Sequence, residues 1–268
     1  MKFEPGLIYF NKVYIIQSLR PGDRLTGQEL FDDIIRWRTS DSLVAEIQNI
    51  SGKIDLIAYL KHIYNGIKSG LVPLIHFETH GYKDGIQLSN NELVSWQDLV
   101  PYFRSINLAT KNNLFISMAA CKGGNIQICV KITEPSPFRG FIGPMEDVGE
   151  MDLLASFSDF FNVLLRENDI EKGIEALNHV ANGIKYHHMN TELLFDIVWN
   201  YHTELWKNDP NKQQALIDDI MNKQSKNLPA LISKYGGKRQ VRRKIKRFAE
   251  KDIPKVKELL RKQFCHMK

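Results

Sequence analysis

The sequence predicts an α/β fold, a mostly parallel sheet sandwiched by helices, with a helical appendage at its carboxyl end. Two observations carry this. As far as about Asn190, apolar runs of strand length alternate with stretches of helical periodicity, the order that gives a parallel sheet covered on both faces. Beyond Asn190, "NTELLFDIVWNYHTELW", "PNKQQALIDDIMNKQ" and a basic tail are helical in period and carry no strand signal. A boundary there divides the chain into residues 1–190 and 191–268.

The elements follow in order. "KVYIIQSL" (12–19) is β-branched and aromatic and ends at "RPGD", which suits a buried strand. The stretch 40–70 places Ile54, Ile57, Leu60, Ile63 and Ile67 at helical spacing and stops at Gly70, a natural C-terminal cap. "LVPLIHF" (71–77) is a second strand, and "GIQLSNNELV" (85–94) a hairpin turning at Asn90–Asn91. Ser95, with Asp98 three residues on, starts a helix whose Leu99, Tyr102, Phe103 and Ile106 share a face. "LFISMA" (114–119) and "FRGFIGP" (138–144) are further strands. Leu153, Phe157, Phe160, Phe161 and Leu164 then form a broad helical stripe, and Asp169 caps a helix carrying Ile170, Ile174, Leu177 and Ile184.

Composition limits the function classes. With 43% hydrophobic and 25% charged residues the chain reads as an ordinary soluble protein. Its start is broken by Glu4, Pro5, Asn11 and Lys12, which argues against a signal peptide or membrane span and makes the cytoplasm the expected location. Three cysteines are too few and too scattered for a disulfide framework. Cys129, alternating with apolar neighbours, reads as core, and Cys265, near the end, as exposed and idle. No cofactor is implied: "GGKRQ" (236–240) has neither the spacing nor the preceding strand of a phosphate loop.

Two strands end in reactive side chains beside glycine. "LIHFETHG" (74–81) closes on His80 and Gly81, and "LFISMAACKGG" (114–124) on Cys121, followed by Gly123 and Gly124. In an open α/β sheet, functional groups gather outside the carboxyl ends of the strands. With the helix near 95–110 as crossover the two strands are expected to be neighbours, bringing imidazole and thiol together. Such a pair is the minimal machinery of acyl transfer: the imidazole promotes the thiolate, which attacks a carbonyl carbon. The amides of Gly81 and Cys121 are the candidate oxyanion donors.

A hydrophobic strand ending in His-Gly, then one ending in Ala-Cys some forty residues later, resembles the caspase-like cysteine peptidases: caspases, separases, gingipains, legumains and the bacterial CHAT proteases. The motifs here are "FETHG" (77–81) and "AACKGG" (119–124), the latter similar to the caspase Ala-Cys-Arg-Gly with Lys122 in place of Arg. Ala119 stands where caspases have Gln, which points to the CHAT branch. The segment from "RGFIGPMEDVGEM" on is similar to the CHAT arrangement of strand, acidic turn and two helices, so the resemblance spans roughly residues 10–185. It implies a caspase-type fold, endopeptidase activity on a protein or peptide substrate, an activating ligand or partner protein, and service in bacterial defence or regulated death. Peptidases of this kind select the side chain before the scissile bond with a charged pocket. The loop after "FRGFIGP" carries Glu146, Asp147 and Glu150, and that after the first strand Arg20, Asp23 and Arg24. Glu146, Asp147 and Asp23 are therefore the candidate substrate-binding residues, favouring Arg or Lys. Glu146 and Asp147 also suit the first turn of the next helix, where acidic residues favour the dipole.

Two other chemistries compete. His76, Glu78 and His80 alternate, so a regular strand points all three to one face as possible zinc ligands of a metal-dependent hydrolase. That reading leaves Cys121 and the glycines without a purpose. His187–His188 diverge from one another and read as surface or hinge residues. The second alternative is a non-catalytic binding module acting through the tail. Residues 234–268 hold 14 Lys or Arg against Glu250, Asp252 and Glu258, a net +11, leaving −6 on residues 1–233. Val241, Ile245 and Phe248 share one helical face and, after an expected break near Pro254, Val256, Leu259 and Leu260 another. The favoured reading docks these stripes on the acidic body and leaves a solvated basic face, with no specific nucleic acid and no membrane as partner.

Overall fold

The computed structural model describes residues 9–40, 42–181, 183–223 and 228–265. Its architecture is α/β, built on a mixed, mostly parallel sheet of eight strands flanked by helices. Strand β1 (Lys12–Ser18) is followed by a short helix α1 (Thr26–Leu30), then β2 (Val44–Asn49), helix α2 (Lys53–Ile67) and β3 (Pro73–Tyr82). A hairpin, β4 (Gly85–Gln87) and β5 (Leu93–Ser95), extends from β3 and leads into α3 (Trp96–Ala109) and β6 (Phe115–Ala119). Then come β7 (Gly140–Pro144), α4 (Glu150–Glu167), α5 (Ile170–Val180) and β8 (Tyr186–Asn190). The main sheet runs β2-β1-β3-β6-β7-β8, parallel throughout except for the antiparallel edge strand β8.

Alternation along each central strand divides the core into two layers. Tyr14, Ile16, Ile75, Phe77, Ile116 and Met118 pack on Leu56, Leu60 and Ile63 of α2 and on Leu99, Phe103 and Ile106 of α3. Val13, Ile15, Leu74, Phe115 and Ala119 face Leu30 of α1 and Leu153, Phe157, Phe160 and Phe161 of α4. Each fully buried aromatic of α4 contributes roughly 1.5–3 kcal/mol through burial, which fixes α4 across the sheet face on which His76 lies. Local signals agree with this packing. Ser95 and Asp98 form a complete capping box at the start of α3, Asn91 takes the left-handed turn conformation at φ 69°, and Asp169 accepts from the amides of Glu171 and Lys172 at the start of α5.

Several expectations need correction. The front of the 40–70 stretch is the edge strand β2, because Val44 to Asn49 finds backbone partners along β1 and this outweighs the helical preference of Ala45, Glu46 and Gln48. The helix from Asp169 stops at Val180, and Ile184 sits in a turn before β8. His187 and His188 are not a hinge: they pair with Gly143 and Ile142 of β7, with His187 half-buried and His188 at the surface. Cys265 is 1% exposed, packed with Phe195 and Phe264, so it is core.

Past β8 the chain is helical: α6 (Thr191–Asn208), α7 (Pro210–Lys223), α8 (Leu228–Tyr235) and α9 (Lys238–Phe264). The expected break near Pro254 does not occur, since a proline removes one helical donor and the turns on either side carry α9 past it. The rings of Phe195 and Phe264 lie 5.7 Å apart, and Asp196 pairs with Lys257 at 2.7 Å and Arg261 at 3.3 Å, joining α9 to α6. The Phe264 carbonyl accepts from Ser136, which ties the end of α9 to the segment before β7. No helix among the described residues is long and apolar enough to cross a membrane.

Candidate active site

Strands β3 and β6 are adjacent and parallel, with His76 opposite Ser117 and Glu78 opposite Ala119. The paired register ends there; His80 continues along β3 while Cys121 sits in the turn just past β6, with its backbone against that of Gly81. Both side chains line a cleft of about 220 Å³ at the carboxyl ends of the parallel strands. Asp23, Arg24 and Thr26 enter it from the segment after β1, Glu78 and Thr79 from β3, and Val148, Glu150 and Leu153 from the segment after β7. The cleft lies where the strand order reverses direction around β1 and β3, the place an open α/β sheet offers to ligands.

The imidazole is held from behind. His80 Nε2 lies 2.7 Å from Asp23 Oδ2, and this bond, first among the causes, holds the Asp23 carboxyl below the usual carboxylate range. An ionised carboxylate only accepts, so Nε2 carries a proton and donates, leaving Nδ1 as the basic nitrogen. Asp23 is itself fixed by the Arg20 amide, which donates to Oδ2 at 2.7 Å.

At Cys121 the Val148 amide donates to the sulfur at 3.4 Å, and the thiol faces the Val148 carbonyl at 3.6 Å. The next residue, Lys122, adopts the left-handed conformation (φ 59°) without being glycine, a strained turn that takes the chain away from the cleft directly after Cys121. Its amide donates to the Glu146 carbonyl, and its ammonium pairs with Asp147 at 2.6 Å. These contacts tie the loop bearing Val148 to the turn bearing Cys121. Gly81 explains the closeness of the two strand ends. A Cβ there would stand 2.0 Å from the Cys121 carbonyl oxygen and 3.0 Å from its amide nitrogen, a contact only glycine avoids.

The candidate substrate-binding carboxylates fall in three different places. Asp23 is engaged by His80 and serves the imidazole. Asp147 is paired with Lys122, and Glu146 accepts from the Lys185 amide at 3.1 Å; neither lines the cleft. The carboxylates that do line it, besides Asp23, are Glu78 on the floor and Glu150 at the start of α4. The one lining cation, Arg24, is paired with Glu29 at 2.6 Å, so the lining is acidic in balance. Sequence reasoning overlooked Glu78 as a cleft residue and Val148 as a partner of the thiol. Glu78 lay in view on the strand that ends at His80, whereas nothing in the sequence marks Val148.

His76, Glu78 and His80 do share a face, as the alternation predicts, but His76 is already satisfied. Its Nδ1 lies 2.8 Å from Ser117 Oγ and its Nε2 3.0 Å from Glu78 Oε1, while Glu78 Oε2 accepts from Thr26 at 2.7 Å. Phe157 and Phe161 pack on the imidazole, which is fully buried. This chain of polar groups seats α1 and α4 on the sheet and is sealed from substrate. Among the described residues, no group of three His, Cys, Asp or Glu side chains is arranged to hold a metal ion.

No protein-family model matches the chain, and no curated protein matches it.

Proposed function

We propose that this chain is a cysteine endopeptidase of the caspase-like kind, with Cys121 as nucleophile, His80 as general base and then acid, and Asp23 as the residue that orients His80. The observation that supports the reading is that Cys121, just past the end of β6, and His80, on the neighbouring parallel strand β3, line one cleft, with Asp23 hydrogen-bonded to the imidazole. In the reaction, His80 Nδ1 takes the thiol proton and the thiolate attacks the peptide carbonyl carbon. The negative charge on the carbonyl oxygen is met by the amides of Gly81 and Cys121. As the C–N bond breaks, His80 returns its proton to the leaving amine. A water, deprotonated by His80, then hydrolyses the thioester and frees Cys121.

The acidic lining favours a basic residue before the scissile bond. Glu150, exposed at the mouth of the cleft, is the carboxylate left to meet an Arg guanidinium, since both oxygens of Glu78 on the floor are taken by His76 and Thr26. The resemblance to the CHAT branch supports cleavage of a partner protein in the bacterial cytoplasm as part of a defence or regulated-death response, set off by a ligand or partner. A fluorogenic peptide panel tests the reading. Turnover is expected after Arg and Lys, and Glu150→Gln should lower cleavage after Arg about tenfold more than cleavage after an uncharged residue. Turnover after Asp alone would overturn the specificity, and cleavage that survives Cys121→Ala would overturn the mechanism.

A further inference from the structure

The basic tail gains a shape in the structure that its sequence did not show. Helix α8 ends at Tyr235, and Gly236 and Gly237, both at positive φ, turn the chain directly into α9. Val241, 2% exposed, and half-buried Ile245 use the first part of the apolar stripe for packing, while Val256 and Leu259 farther along α9 are exposed and Phe248 lies outside the described side chains. The corner between the two helices encloses a concavity of about 480 Å³ lined by Tyr235, Gln240, Arg243, Lys244, Lys246 and Arg247. All four cations are exposed, and no carboxylate lines the concavity. Neighbouring Arg242 is neutralised by Asp218 at 2.5 Å, but Arg243, Lys246 and Arg247 have no acidic partner among the described residues. Lys244 lies 4.5 Å from the centre of the Tyr235 ring, and Lys234 lies 5.5 Å from the same ring.

Like charges at spacings of three and four destabilise a helix, so this cluster is unfavourable until an anion neutralises it. We propose that the concavity between α8 and α9 binds the phosphate backbone of a single-stranded nucleic acid, without base selectivity. Four observations select this occupant. The charge is multiple and of one sign, which calls for a polyanion. Exposed Lys234, Lys238 and Arg239 adjoin the lining in sequence, so the positive charge extends beyond what one mononucleotide needs. Gln240 adds a neutral donor beside the charges, a group suited to phosphate oxygens. Finally, the Tyr235 ring faces are met by ammonium groups, so contact with the backbone prevails over base stacking. The −6 charge of residues 1–233 repels the same strand from the catalytic cleft, so the two sites take different ligands. The inference does not rest on the peptidase reading.

The test is fluorescence anisotropy of a labelled oligothymidine strand titrated with the full-length protein over a range of salt concentrations. Saturable binding is expected in the micromolar range at about 0.1 M salt, with a log–log salt slope of about −3, which is roughly 0.7 for each of the four neutralised phosphates. Replacing Arg243, Lys246 and Arg247 together by Gln should weaken binding at least about tenfold, and replacing the exposed Lys61, Lys68 and Lys83 by Gln, the same loss of charge on the body, less than about twofold. Circular dichroism of both triple variants checks that the helices persist. Equal weakening by the two triples would overturn the site, as would the absence of saturable binding. Displacement of the strand by ATP or by polyglutamate at equal charge concentration would overturn the strand as occupant. So would binding of the protein to phosphatidylserine vesicles, lost in the first triple, with no binding of the strand.

Discussion

Cys121→Ala is expected to abolish cleavage of an Arg-containing peptide, and His80→Ala to lower kcat by about 10²–10⁴, the range that general acid–base catalysis contributes. The two effects should not add. Without the imidazole the thiol has no base to take its proton, and without the thiol the imidazole has no nucleophile to serve, so the double variant should be no slower than Cys121→Ala alone. Neither side chain carries the core. Cys121 is part-buried at the rim of the cleft and the His80 side chain is 37% exposed, so both variants are expected to melt within a few degrees of the parent. Kinetics on the purified proteins, with thermal melts alongside, check both statements.

Asp23→Asn should lower kcat by about 10- to 100-fold with little change in KM, an effect of the size expected when an orienting partner is lost. Asn removes the charge that fixes Nε2 as donor and stabilises the imidazolium formed during the reaction. The effect is smaller than for a sealed carboxylate because the Asp23 side chain is 30% exposed and water screens the pair. Asp23→Glu should restore part of the rate. The sign of the pH dependence follows from the lowered Asp23 value. Because the folded-state value is depressed, the carboxylate stays charged as pH falls from neutral through the ordinary carboxylate range, and the contact with His80 is lost only as pH passes down through that depressed value. Any loss of cleavage activity between pH 7 and 5 in the parent protein is therefore not caused by protonation of Asp23. A rate profile of the parent and Asp23→Asn over this interval tests the assignment: if the acid limb disappears in the variant, Asp23 is titrating there and the assignment fails.

The pairing of β3 with β6 was legible because each opens on a buried run rich in apolar residues, a helix of the right length joins them, and a reactive side chain, His80 or Cys121, stands at or just past the end of each. The edge strands were not. β2 and β8 are only half-buried, so neither shows a continuous apolar run, and Tyr186–Asn190 carries two histidines and an asparagine in place of β-branched residues. Their conformation is set by partners, Lys12–Gln17 for β2 and Gly140–Pro144 for β8, that lie far away in sequence. Within the site the same division holds. Cys121, His80 and Gly81 mark themselves by residue type and position, while the roles of Asp23, Asp147 and Val148 depend on how three loops meet above the sheet. Asp147 looked like a pocket carboxylate until Lys122, placed by its left-handed turn, was seen to take it. Cys265 looked exposed because it lies near the chain's end, and only the packing of α9 on Phe195 buries it.

The most direct measurement is the reaction of the native protein with a peptidyl-arginine acyloxymethyl ketone, followed by peptide mass mapping of all three cysteines. Burial pushes the Cys129 thiol up and the Cys265 thiol to about 12, so neither is a thiolate near neutral pH. The predicted result is one adduct, on Cys121, formed quickly in the parent and at least about 100-fold more slowly in His80→Ala. An adduct on Cys129 with Cys121 unmodified, or labelling of Cys121 at the same rate with and without His80, would contradict the assignment of Cys121 and His80 as a catalytic pair.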